Sequence, residues 1–130
     1  MWYAVHAFLY FKYKDGLQDE YFGYENIYLI KAESVEEART KGTARAREDE
    51  GDDNASITSN GRPAARTFAG ILKIVDCEDL DLETGEPTNG TELSYSELTL
   101  PNKREFDKYV SGQSATVVIH GVDDDDGPNK

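Results

Sequence analysis

Cysteine is almost missing from this sequence: Cys77 is the only one in 130 residues. A single thiol excludes an intramolecular disulfide and any cysteine-rich zinc site, and two histidines, His6 and His120, do not supply a usual metal-ligand set by themselves. Basic residues are also scarce, with 14 Lys and Arg against 26 Asp and Glu and a net charge of -12. Affinity for a nucleic-acid backbone comes from neutralising phosphates with Lys and Arg, so direct binding of nucleic acid through acidic segments is disfavoured. No apolar run approaches the roughly 18 residues of a membrane span, and Met1-Trp2-Tyr3 lacks the basic flank and small-residue cleavage site of a secretion signal. A soluble, cytoplasmic protein with no membrane partner is expected. The glycines form neither a dinucleotide-binding fingerprint nor a phosphate loop, and neither Asp76 to Asp81 nor Asp123 to Asp126 has the spacing of a calcium loop. No cofactor and no bound metal are expected.

What is present suffices for one core. Hydrophobic residues make up 38% of the chain and 11 glycines bring the apolar share near that of ordinary globular domains. One α+β domain over residues 1–120 is expected, with 121–130 a disordered acidic tail. The acid is segregated: Glu48 to Asp53, Asp76 to Glu92 and Asp123 to Asp126 hold sixteen of the 26 acids and no Lys or Arg. Elsewhere the bases outnumber the acids. Such runs read as solvated loops, or as a docking surface for a basic protein partner, in which case Glu48, Asp49, Glu50, Asp52, Asp53, Asp76, Glu78, Asp79 and Asp81 are the binding residues.

Along the chain, residues 2–13 are aromatic-rich and free of breakers and predict a long strand. Tyr3, Val5, Ala7, Leu9 and Phe11 make a core face; Trp2, Ala4, His6, Phe8 and Tyr10 make a second face that mixes apolar bodies with polar tips. Asp15-Gly16 predicts a turn into an antiparallel strand over residues 21–32. Ser34 and Glu37 form a capping box that starts a helix ending near Arg47, with a stripe of small residues at Val35, Ala38, Gly42 and Ala46. Arg39, Lys41, Arg45 and Arg47 read as a solvated basic face with internal ion pairs. Asn60-Gly61 predicts a tight hairpin, and residues 66–75, apolar on both faces, a central strand. Residues 93–100 predict another strand with a phase change suggestive of a bulge, Asn102 to Glu105 cap a short helix ending at Gly112, and residues 116–120 a last strand.

The expected class is thus α+β, a mainly antiparallel sheet in the order β-β-α-β-β-α-β with both helices on one face, a ferredoxin-like arrangement being one candidate topology. The second aromatic face of the first hairpin, with Trp2 and Phe8, is then open to a partner or to a second copy of the chain in a homodimer.

Catalytic signals are weak. Imidazole is the usual side chain for general-base work, and Glu25 or Tyr10 could orient His6 for it across the hairpin, but no Ser, Thr or Cys lies in a nucleophile motif that needs such a base. A strand histidine satisfied within an aromatic face is the plainer reading. Cys77 lies between Asp76 and Glu78, which disfavour a thiolate, so an inert thiol at a strand end is expected. Glu25 and Asn26 point to opposite faces by alternation, so one of them must find a hydrogen-bond partner in an apolar layer.

The phrases Met1-Trp2-Tyr3-Ala4-Val5-His6-Ala7, Tyr24-Glu25-Asn26-Ile27-Tyr28-Leu29-Ile30-Lys31-Ala32 with Glu36-Glu37-Ala38, and Arg66-Thr67-Phe68-Ala69-Gly70-Ile71-Leu72-Lys73 resemble the bacterial family of domain of unknown function 4288. The resemblance covers about residues 2–110. It implies a small bacterial, cytosolic protein with Glu25-Asn26 as the most distinctive polar pair, and it carries over no catalytic residue. The leading expectation is a non-enzymatic protein-protein interaction module. The alternatives are an immunity or inhibitor protein covering the basic cleft of a toxin or nuclease, and a small hydrolase or isomerase using His6.

Overall fold

The computed structural model describes residues 1–51, 57–77 and 89–120. Its elements are β1 (Trp2–Tyr13), β2 (Tyr21–Lys31), α1 (Val35–Glu48), β3 (Thr58–Ser59), β4 (Arg62–Asp76), β5 (Thr91–Leu100), α2 (Lys103–Val110) and β6 (Val118–His120). They form one antiparallel sheet in the order β3-β4-β1-β2-β5-β6. The expected α+β class is the one found. The acidic tail and Asp52, Asp53, Glu78, Asp79 and Asp81 lie outside the described residues.

The first hairpin is the middle of the sheet, with β1 and β2 in register from Trp2↔Lys31 to Tyr10↔Gly23. β4 adds to β1 with two register shifts, where Leu72 and Ala69 are extra residues on the β4 side. Such bulges bend a strand and increase its twist. At Asn60-Gly61 both residues have positive φ, 54° and 74°, as a two-residue turn between twisted strands requires.

Both capping boxes form on one arm and are redirected on the other. Ser34 Oγ accepts from Glu37 N at 3.1 Å and Asn102 Oδ1 from Glu105 N at 2.9 Å. The returning carboxylates reach elsewhere: Glu37 accepts from Glu33 N at 2.6 Å, and Glu105 from Thr116 N at 2.8 Å, which ties the chain after α2 to the helix start. α1 ends at Glu48 with Asp49 as its C-cap, one residue beyond the expected end near Arg47; Arg45 and Arg47 in the last turn offset the acids that follow.

The two helices lie on opposite faces, which corrects the expectation that they share one. Ala38 and Ala46 of α1 pack on Tyr3, Val5, Ala7, Leu9, Tyr28 and Ile30. Phe106, Tyr109 and Val110 of α2 pack on Phe8, Tyr21, Leu98 and Leu100. Alternation along β1 separates those two sets, so both faces need cover. The same fact explains β4: its two apolar faces meet two helices, whereas on its outer edge β3 pairs only at Arg62 and Pro63. The ferredoxin-like arrangement does not occur, because the first connection is a hairpin and α1 follows β2, where that arrangement needs a helix between its first two strands.

Candidate functional site

On the α2 face, His6 Nδ1 lies 2.7 Å from Glu25 Oε2, and the Tyr109 hydroxyl donates to Glu25 Oε1 at 2.9 Å. Burial and the neighbouring Glu25 carboxylate push the Tyr109 phenol well above its ordinary range, so it stays a donor. His6 and Glu25 therefore meet as the sequence suggests, but the third member is Tyr109, 84 positions beyond Glu25. Tyr10 takes no part in this group; it packs against Tyr21 and Phe106, with ring centroids 5.4 and 5.1 Å away. Phe8 is wholly buried under α2, edge-on to Tyr109 at 5.2 Å. As a contact residue for a partner, Phe8 is corrected to core. Trp2 is 9% exposed, with Lys31 Nζ 5.7 Å from its ring centre.

The acids after α1 are partly consumed by the fold. Asp49 Oδ2 accepts from the Tyr28 hydroxyl at 2.5 Å and Oδ1 from Arg45 at 3.0 Å. Glu50 Oε2 accepts from Phe68 N at 2.9 Å, and Gly51 bridges to Arg66. The run thus anchors α1 to β2 and β4, leaving Glu48 as its exposed acid among the described residues. Three basic residues of α1 form local ion pairs, Lys41 with Glu37 in the first turn, Arg45 with Glu48 and Asp49, and Arg47 with Glu50. Asp76 is exposed at the end of β4, opposite Tyr3 of β1. Cys77 follows it as a half-buried free thiol.

Beyond the C-terminal end of α1, the same face of the sheet carries an open recess of about 270 Å³ lined by Tyr24, Asn26, Glu92, Tyr95 and Glu97. β2 supplies Tyr24 and Asn26; β5 supplies the other three, Tyr95 standing opposite Asn26 and Glu97 opposite Tyr24. Glu92 joins them through a bulge: Ser94 pairs with Ile27 and Glu92 with Tyr28, so Leu93 is an extra residue. Unbroken alternation would send Glu92 to the face opposite Tyr95. Tyr95 is 56% exposed and meets the Tyr24 ring edge-on at 5.8 Å. An aromatic row continues from Tyr24 to Phe11 and Phe22, and from Phe22 to His120, whose Nε2 lies 2.6 Å from Thr99 Oγ1.

The charge of the recess is negative. Partial burial and the nearby Asp49 raise the Glu92 carboxyl above its ordinary range, with Arg45 opposing. Burial, then Glu97 and Tyr95, raise the Tyr24 phenol, with Arg66 opposing. Neither arginine lines the recess itself. Asn26, 9% exposed, gives its amide nitrogen to the Tyr28 hydroxyl at 3.1 Å, while its Oδ1 accepts no hydrogen bond among the described residues. Two carboxylates, two phenol rings and a buried acceptor make a site suited to a cation: the carboxylates attract it, the ring faces stabilise it and the carbonyl takes a donor. Sequence reading singled out Asn26 but missed Tyr24, Glu92, Tyr95 and Glu97 as a group. The phase change in β5 was the available signal.

Among the described residues no cluster of three metal-ligating side chains occurs and no helix is long and apolar enough to cross a membrane. No curated protein and no solved structure is similar enough to the chain to be matched. The model of the domain of unknown function DUF4288 matches residues 2–94, taking in Tyr24, Asn26 and Glu92 and stopping just short of Tyr95 and Glu97. With most of its length covered by that match, including the whole first hairpin, α1 and β4, the chain belongs to the DUF4288 family.

Proposed function

We propose that this protein is a non-enzymatic protein-protein interaction module that receives a basic partner on the sheet surface beyond α1. The observation that carries this reading is the recess of Tyr24, Asn26, Glu92, Tyr95 and Glu97, in which acids and aromatics converge and no lining residue is basic. Net charge of -12 adds long-range attraction for a basic surface, chiefly through the association rate. An immunity or inhibitor protein seated on the basic cleft of a toxin is the narrower form of the same reading. The test is titration of the isotope-labelled protein with an arginine-rich peptide and its glutamate counterpart. Selective shifts at Tyr24 and Tyr95 with the arginine peptide, lost in the Glu92→Gln, Glu97→Gln double variant and weakened by salt, are expected. Equal response to both peptides would end the reading.

A second reading follows from the contact of His6 with Glu25, since a carboxylate-oriented imidazole is a general-base arrangement. It makes the protein a small hydrolase or isomerase. Turnover in a broad substrate panel that His6→Ala abolishes would support it; no turnover by the wild type removes it.

A further inference from the structure

β6 covers only part of the sheet edge next to the recess. It pairs with Glu97, Leu98 and Thr99, while β5 begins six residues earlier, at Thr91. Over Glu92 to Ser96 no described strand lies on the outer side of β5, and every one of those residues is exposed. Along such an edge every second residue turns its N–H and C=O outward, ready to pair with an added strand. Proteins usually guard an edge of this kind with Lys, Pro or a bulge. Here Glu92 to Ser96 holds neither Lys nor Pro, its one charge is the recess carboxylate Glu92, which guards against acidic strands alone, and the bulge at Leu93 leaves Ser94 to Ser96 regular. Leu93 and Tyr95 add apolar surface, 51% and 56% exposed.

We propose that this edge takes up an extended basic segment of a partner protein as an added strand in line with β6, with a Lys or Arg side chain of that segment entering the recess. This rests on the interaction reading above and deepens it by naming how the partner binds. Main-chain pairing supplies affinity and an alternate side chain supplies selectivity, the division of labour in strand addition generally. The two features belong to one strand: Tyr95 lies between the edge and the recess, and Glu92 and Glu97 bracket it. Charge chooses the occupant. A second copy of the chain would bring another net charge of -12 and another Glu92 and Glu97 to the same edge. The acidic residues 123–126, which follow β6 in sequence, carry the same sign as the recess.

The experiment is amide hydrogen exchange on the full chain, free and with a short peptide alternating arginine and threonine, beside Glu92→Lys, which places a guard on the edge at an exposed position. Expected are fast exchange at outward-facing amides of Glu92 to Ser96 in the free protein, at least about tenfold slowing with the peptide, and loss of that slowing in Glu92→Lys with the free-state spectrum otherwise kept. Slow exchange there in the free monomer means the chain covers its own edge, and slowing that depends on protein concentration without peptide means a second copy does; either overturns the proposal. Peptide shifts at Tyr24 and Tyr95 without slowing at Ser94 to Ser96 overturn strand addition and leave the interaction reading standing. No response at either place ends both. Should Glu92→Lys misfold, Ser96→Lys serves as the second guard variant.

Discussion

The Tyr28 hydroxyl stands between Asn26 and Asp49, receiving the Asn26 amide at 3.1 Å and donating to Asp49 Oδ2 at 2.5 Å. One phenol thereby joins the buried polar residue of β2 to the first acid after α1, with the Arg45 guanidinium 4.7 Å above its ring. Burial and the bond to Asp49 push the phenol far above its ordinary range, so it remains protonated at any physiological pH.

Tyr28→Phe keeps the ring and removes both hydrogen bonds. It leaves the buried Asn26 amide without its donor's partner, and an unsatisfied buried polar group costs about 1–3 kcal/mol. A loss of that size in the unfolding free energy, read from denaturant titrations, is expected, and pairing it with Asn26→Ala should recover part of the loss. Full additivity of the two changes would mean the bond contributes nothing.

Gly42 tests packing against helix propensity. Ala is favoured over Gly in a helix interior by about 1 kcal/mol. A Cβ at Gly42, however, would lie 2.6 Å from Val5 Cγ1, and Val5 is wholly buried. Overpacking costs about 1–3 kcal/mol, so Gly42→Ala is expected to destabilise, and Gly42→Ala with Val5→Ala to be better tolerated than the sum of the two. Thermal melts of the three variants decide it.

Glu105 should be an acid-sensitive latch. Its carboxyl is held below its ordinary range, first by the Thr116 N–H and then, against the opposing effect of burial, by Lys108 and Arg104. A carboxylate depressed in the folded state contributes stability above its unfolded pKa and loses it as pH falls through the folded one. Wild type should therefore lose stability more steeply than Glu105→Gln in the acid range below the ordinary glutamate pKa. Parallel curves for the two proteins would show that the Thr116 contact carries no linkage.

Glu92 gives the opposite sign. Its carboxyl is raised by burial and by Asp49, so folding favours the protonated form, and Glu92→Gln should be as stable as wild type or more so at neutral pH. A bound cation requires the ionised form. Capture of the arginine peptide should weaken as pH falls through a value above the ordinary glutamate range, before Glu105 begins to titrate. Calorimetric titrations at successive pH values would show it, and the control is Glu92→Gln, which keeps Glu97 and should lose only the weakening above the ordinary glutamate range.

Much of the fold was legible because local rules agree with the tertiary answer. Alternation in residues 2–13, the Asp15-Gly16 and Asn60-Gly61 turns and the caps at Ser34 and Asn102 all recur in the structure. The side taken by α2 was not legible. Both faces of β1 are apolar, and the face with Phe8 and Tyr10 reads equally well as a partner's surface or as the seat of a helix that arrives 90 residues later. The site was hidden for a related reason: Tyr109 reaches Glu25 from that distant helix, and Glu92 reaches Tyr95 only because Leu93 is bulged. Sequence separation conceals the first, and a one-residue phase slip conceals the second.

The central place of the first hairpin sets the order in which the chain can assemble. Closing β1 on β2 brings together residues linked by a single short turn, whereas β4 must find β1 and β5 must find β2 across most of the remaining sequence. Loop closure favours the near pairing, so the hairpin is the natural nucleus and the two flanking arms condense on its opposite sides. Substitutions at Val5 or Ile30 should then slow folding, and those at Leu98 should mainly speed unfolding. On this order the β5 edge proposed for strand addition belongs to the arm that closes late, and a strand added there would leave untouched the pairing of β1 with β2 that holds the middle of the sheet.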